Sequence, residues 1–271
     1  ILLGDWLGVF THIVYDRWFM IRKAINQYPD IILLTSCFDS EQFVHEGVQK
    51  FQLAIQTDYW NEYISSVIFS YLSDSIQVSS KYKKLTNRDH LKPKIVFPIK
   101  DLIKKSINFL HNLYSNKSNN KIFIFGSNLS PLCELLLNIK YRQLPYFPVK
   151  SKETHTIYDP LLRDWKLIYT CSKFKTSNIS QEFIQILLNL IPSNMPLAYL
   201  EGYTNYRKSF EKSNWPDNPS IILTSNAILY HDLFKHWTAA KVEQGAKLFF
   251  LQYGGGYGTQ KINFLEDHET S

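Results

Sequence analysis

The sequence predicts an α/β fold, a Rossmann-like parallel sheet flanked by helices. Two stretches predict it. KIFIFGSNLSPLCELLLNIK, residues 121–140, reads as a strand, a Gly-Ser-Asn turn and a helix opened by Ser130 with Pro131 in its first position. SIILTSNAILYHDLFKHWTAAKVEQGAKLFFLQYGGGYG, residues 220–258, reads as strand, helix, strand and Gly-rich loop. In the second stretch Asn226 is the expected helix cap and Gly245 the expected stop. Strands that alternate with helices in this way build a parallel sheet.

The remaining elements follow from periodicity. Residues 6–25 repeat apolar side chains at helical spacing through Val9, Ile13, Trp18, Ile21 and Ile25. The run IILLTS predicts a short buried strand over 31–35, followed by a polar loop. A short helix is expected over 43–51, and a longer one over 59–72 capped by Thr57 or Asp58. Residues 79–93 read as a basic surface loop, 95–97 as a short strand and 100–114 as a helix. The Pro-rich, aromatic stretch 144–175 reads as a loop, and helices are expected over 181–190, ended by Pro192 and Pro196, and over 199–212.

Bulk composition narrows the classes. The chain has 271 residues, 45% hydrophobic and 20% charged, which is the profile of a globular protein able to bury a sizeable core. The formal charge of +6 is mild and its lysines are scattered, with local clusters at Lys81–Lys84 and Lys104–Lys105. They read as a solvated surface or as an attraction for anionic partners such as nucleotide diphosphates. Three well-separated cysteines, Cys37, Cys133 and Cys171, argue against a disulfide framework or a zinc site and fit the cytoplasm. No run reaches the roughly 18 apolar residues of a membrane span. Both ends start or stop in mid-pattern, so a longer protein is expected.

Ligands of open α/β sheets bind beyond the carboxyl ends of the strands. Four such ends are recognisable: Thr35-Ser36, then Gly126-Ser127-Asn128, then Thr224-Ser225-Asn226, and finally the loop from Gln252 through Gly254, Gly255, Gly256 and Tyr257 to Gly258. All are small, polar or Gly-rich, as a cleft floor requires, although loops after strands often have this composition without binding anything. The triple glycine lets backbone N–H groups approach a phosphate or carboxylate. It is neither a P-loop nor a dinucleotide fingerprint. Residues 266–269, EDHE, offer three carboxylates and an imidazole, a source of a general base or merely an acidic, solvated stretch. Glu201 is a further carboxylate, and its alternative is a solvated helix residue. His231, Asp232, Lys235 and His236 fall on the last helix, where a histidine is more often a surface or core group than a catalytic one.

PLAYLEGYTNY, the 220–258 stretch and EDHE together resemble the transferases of O-antigen and other surface-polysaccharide clusters. TDYWNEYI (57–64) and DWLGVFTHIVYDR (5–17) are similar to that family's earlier stretches. The resemblance covers nearly the whole chain. It implies a GT-B-like glycosyltransferase, with residues 1–271 forming the N-terminal, acceptor-side α/β region of a longer protein, a sub-boundary within 144–180, and most of a second domain lying beyond. It implies transfer from a nucleotide sugar to a glycan or lipid-linked glycan acceptor, with no cofactor, no metal and no nucleic acid, and with peripheral association at the inner face of the bacterial inner membrane. His268, Glu269, Tyr253 and Glu201 become the catalytic candidates. Ser127, Asn128, Thr224, Ser225, Asn226, Gln252 and the loop Gly254–Gly258 become the substrate-binding ones. The family pattern has His where this chain has Tyr253, a phenol with a pKa near 10 and so a weak base. That departure leaves open a non-catalytic binding or scaffold module of a polysaccharide assembly system.

Overall fold

The computed structural model of the chain describes residues 2–36, 38–73, 76–79, 121–143, 156–164, 178–211, 213 and 215–252. The expected strand over 95–97, the expected helix over 100–114 and the clustered lysines lie outside them. The fold is mixed α/β and the chain forms two compact units. One comprises residues 3–86 and 155–203, the other residues 1–2, 87–154 and 204–271.

The first unit is mostly helical and carries a two-stranded ribbon. Helix α1 spans Gly4–Gln27. Its buried stripe is Trp6, Phe10, Val14 and Trp18 rather than the Val9 and Ile13 face expected from the aliphatic residues. The aromatic side chains bury far more area each, so they set which face turns inward. Strand β1 (Leu33–Ser36) pairs in parallel with β2 (Ile76–Ser79), Leu33 opposite Ile76. Leu34 is exposed. Thr35 is buried, so among the described residues the expected buried strand is covered on one face only. The helix expected over 43–51 is instead a 3-10 turn, Ser40–Phe43, followed by helix α2, Val48–Ala54. Gly47 between them adopts an extended conformation and restarts the chain.

Helix α3, Asp58–Leu72, begins as expected, with the Thr57 hydroxyl accepting from the Trp60 N–H at 3.3 Å. Its aromatic residues join those of the preceding turn, and the Phe43 and Tyr63 rings stack 3.9 Å apart. Helix α5, Asn178–Asn194, runs past Pro192 instead of ending before it. In the last turn proline removes a single backbone donor, and the Met195 N–H still reaches the Ile191 carbonyl at 3.0 Å. The Glu182 carboxylate of α5 accepts from Trp18 at 2.8 Å and pairs with Arg22. A 3-10 turn over Leu197–Tyr199 follows, and the N–H groups of Leu197 and Ala198 donate to the carbonyls of His45 and Glu46, both at 2.9 Å.

The second unit holds a three-stranded parallel sheet in the order β3 (Ile122–Ile124), β4 (Ile221–Thr224), β5 (Lys247–Phe250). Ile122 faces Ile221, which in turn faces Lys247. Helix α4, Pro131–Lys140, follows β3, and the Ser130 hydroxyl caps it by accepting from the Cys133 N–H at 3.2 Å. Helix α6 spans Tyr203–Glu211. The single helix expected after β4 is two, α7 (Ala227–Tyr230) and α8 (Asp232–Glu243). Gly245, at φ +103°, ends α8 as expected. Phe123, Trp215, Ile222, Phe234 and Trp237 form the core between sheet and helices. The Phe123 and Trp237 rings meet edge-on at 4.8 Å.

Candidate functional site

The carboxyl ends of the three strands lie side by side because the strands are parallel and in register. Their small polar residues hold that edge together. The Phe125 N–H donates to the Leu223 carbonyl at 3.0 Å and the Ser225 N–H to the Gly126 carbonyl at 2.8 Å. The Leu251 N–H donates to the Thr224 carbonyl at 2.7 Å, and the Ser225 hydroxyl donates to the Leu251 carbonyl at 3.0 Å. Ser225 thus bridges both neighbouring strand ends.

Gly126 is required by two constraints. Its φ is +59°, and a Cβ there would lie 2.8 Å from the Ala227 Cβ and 3.3 Å from the Tyr230 hydroxyl oxygen. The turn after it is set by Ser127, whose hydroxyl accepts from the Leu129 N–H at 3.1 Å and donates to the Glu134 carboxylate. Both hydrogen-bonding capacities of that buried hydroxyl are engaged inside the turn, so Ser127 shapes the edge. Asn128, at φ +56°, is exposed beside it.

Two polar atoms at the same edge have no hydrogen-bond partner among the described residues. They are the Thr224 hydroxyl, on a residue with no exposed surface, and the Asn226 side-chain carbonyl. Asn226 was expected to cap the following helix, yet its side chain makes no capping bond. The four-residue helix α7 stops at His231, whose Nδ1 accepts from the Phe234 N–H at 3.1 Å and so caps α8. A ring nitrogen that accepts must be unprotonated, so the neutral ring carries its proton on Nε2. Burial pushes the imidazole pKa down, which favours that neutral form. His236 is also buried and stacks on Tyr206, ring centres 5.0 Å apart. Lys235 has no exposed surface at all, an arrangement its helical spacing did not reveal.

The remaining candidates are placed differently. Gln252, at the end of the described chain after β5, is exposed. Tyr253, Gly254, Gly255, Gly256, Tyr257, Gly258, His268 and Glu269 lie outside the described residues. Glu201 belongs to the other unit, where Arg163 holds it in a two-pronged pair. Nε donates to Oε1 at 2.6 Å and Nη2 to Oε2 at 2.7 Å, with both side chains 4% exposed. Arg163 Nη1 reaches the Pro192 carbonyl at 2.8 Å, and the Asp159 N–H donates to Glu201 at 3.3 Å. Sequence reading missed Arg163, because it lies in the aromatic stretch read as a loop and no local spacing links it to Glu201. Among the described residues no three His, Cys, Asp or Glu side chains gather into a metal site, and no helix is long and apolar enough to cross a membrane.

A profile of the LIC12162 family of transferases matches residues 1–271. The chain belongs to that family. No curated protein and no solved structure matches it. The LIC12162 match extends over both units, so the buried Arg163–Glu201 pair and the strand edge both fall within the family's domain.

Proposed function

We propose that this LIC12162-family transferase moves a sugar from a nucleotide-activated donor to a surface-polysaccharide acceptor, with the carboxyl edge of the β3–β4–β5 sheet forming part of the donor site. The observation that carries the proposal is the convergence at that edge of a glycine that admits no side chain and two buried oxygen atoms, on Thr224 and Asn226, without partners among the described residues. Buried polar atoms are almost always paired, so two orphans at one parallel-strand edge point to a polar ligand. A GT-B-like architecture fits the parallel strands and the resemblance of its motifs to surface-polysaccharide transferases.

In that reaction an acceptor hydroxyl oxygen forms a bond to the anomeric carbon. The bond between that carbon and the donor's phosphate oxygen breaks, and the nucleotide leaves with the electron pair. A base takes the hydroxyl proton, and the motif resemblance nominates His268 or Glu269 for it, with Tyr253 close by in the chain. Backbone N–H groups of the Gly254–Gly256 segment would offset the charge on the departing phosphate without a metal. A lipid-linked acceptor would bring the protein to the inner face of the bacterial inner membrane.

The test is calorimetric titration of the full-length protein with UDP-, GDP-, dTDP- and CMP-sugars. One donor class is expected to bind, and Gly126→Ala to weaken it by about tenfold or more, equivalent to about 1.4 kcal/mol. Asn128→Ala, on an exposed residue, separates direct contact from reshaping of the turn. Absence of binding for all four classes would sink the proposal.

A further inference from the structure

The first unit carries a hollow of about 380 Å³ that the strand-edge site does not use. Tyr71, Tyr158, Arg163, Asp164, Asn189 and Ser193 are among its lining residues. We propose that this hollow binds a neutral saccharide ring.

The chemistry of the lining selects that ligand. Tyr71 is half-exposed, and Tyr158 lies under the Arg163 guanidinium, whose carbon is 5.2 Å from the ring centre. Aromatic rings offer flat apolar faces for the C–H faces of a sugar, with a hydroxyl at one end for its oxygens. Asp164 and Asn189 are exposed, and neither side chain has a hydrogen-bond partner among the described residues. A carboxylate and an amide lining one hollow provide the acceptors and donors that sugar hydroxyls need. A small, mixed aromatic and polar lining with few directed groups is the general form of a small-molecule site.

Charge among the described residues disfavours the main alternative. Arg163 is the one cation among the described lining residues, and its charge is offset by the two-pronged pair with Glu201. Asp164 has no ion-pair partner among the described residues, and its carboxylate adds negative charge to the described lining. A phosphate or nucleotide is repelled there, whereas a neutral polyol is not. The pairing also makes the floor rigid, since Arg163 is held at three of its nitrogens by Glu201 and the Pro192 carbonyl.

This site goes beyond the donor reading and is tested separately. Glucose, galactose, rhamnose and N-acetylglucosamine are titrated at millimolar concentration into the full-length protein labelled with nitrogen-15. At least one is expected to shift the backbone amides of Asp164, Asn189 and Ser193 with a Kd on the order of 1–10 mM. Tyr71→Ala and Asn189→Ala change exposed side chains and leave the fold intact, which the melting temperature verifies. Each is expected to weaken the sugar several-fold, Tyr71→Ala the more. Inorganic phosphate is expected to leave these amides unmoved. No shift with any of the four sugars, unchanged affinity in both variants, or shifts with phosphate alone would each overturn the assignment. Donor binding is read in the same spectra at Ser225 and Asn226, so failure of the donor proposal and failure of this one are distinguishable.

Discussion

Two local networks of buried polar groups are built in opposite ways, the Arg163–Glu201 pair of the first unit and the strand edge of the second. In the first, Arg163 and Glu201 are almost completely withdrawn from water, and each charge is matched by hydrogen bonds to the other, to Pro192 and to Asp159. In the second, the Thr224 hydroxyl and the Asn226 side-chain carbonyl have no partner among the described residues while Ser127 and Ser225 are engaged close by in the chain. A closed network needs nothing more and serves the fold. An open one has bonding capacity left for something else. Glu201, a base candidate in the sequence, anchors Arg163 of the Pro160–Arg163 turn, and Arg163 in turn reaches the Pro192 carbonyl near the end of α5.

The sharpest way to break this contrast is to remove one member of the closed pair. Arg163→Ala or Glu201→Ala leaves a buried charge alone and is expected to destabilise the protein by about 3–5 kcal/mol. Replacing both by apolar residues of similar volume is expected to recover most of the loss. Chemical denaturation of the two single variants and the double variant measures it. Equal destabilisation in all three would mean that packing, and not charge pairing, dominates.

His45, like Trp6, Trp60 and Asn194 of the same unit, has a buried polar atom, its Nε2, with no hydrogen-bond partner among the described residues. Burial first, and Lys50 second, lower its pKa from 6.5 to about 4. Between those values the unfolded chain binds more protons than the folded one. Stability is therefore whole above 6.5 and falls as pH drops to about 4, by about 3 kcal/mol in total. His45→Phe is expected to flatten that limb of the curve, read from urea midpoints at pH 7, 5 and 4. An unchanged acid limb would assign the loss to other groups.

The smallest effect on stability, and the most diagnostic one, belongs to the open network. Thr224→Val removes a hydroxyl that bonds nothing among the described residues, so stability is expected to change by less than about 1 kcal/mol. Donor affinity is expected to fall about five- to tenfold in the same variant, measured by calorimetry. A large loss of stability would show that the hydroxyl already serves the fold and would erase the difference between the two networks.

How much of this was legible in the sequence depended on whether the signal was local. The strand-turn-helix at Ile122–Lys140 and the parallel pairing of β4 with β5 were legible, because apolar runs, Ser130, Pro131 and Gly245 all act on their immediate neighbours. The break at His231 was not, because Ala227 to Glu243 carries continuous helical periodicity, and only the capping geometry shows that the imidazole interrupts it. Strand β2 was missed because its four residues, Ile-Gln-Val-Ser, follow a polar segment and gain their order from β1. At the site, Gly126 and Asn226 were visible as types, but which hydroxyl is engaged and which is idle depends on distances set by the sheet. Arg163 and Glu201 meet only in three dimensions.

The zipper of Leu197 and Ala198 onto His45 and Glu46 has a consequence for how the chain is made. The unit that contains it is written in two instalments, 3–86 and 155–203, with residues 87–154 assigned to the other unit. On the ribosome the first instalment emerges and must wait for the second. At about 5–20 residues per second that delay is on the order of ten seconds. Throughout it, the apolar stripe of Trp6, Phe10 and Trp18 has no α5 to close over its far end. Nascent chains stalled before residue 178 should therefore recruit chaperones strongly, and chains released after residue 203 should not.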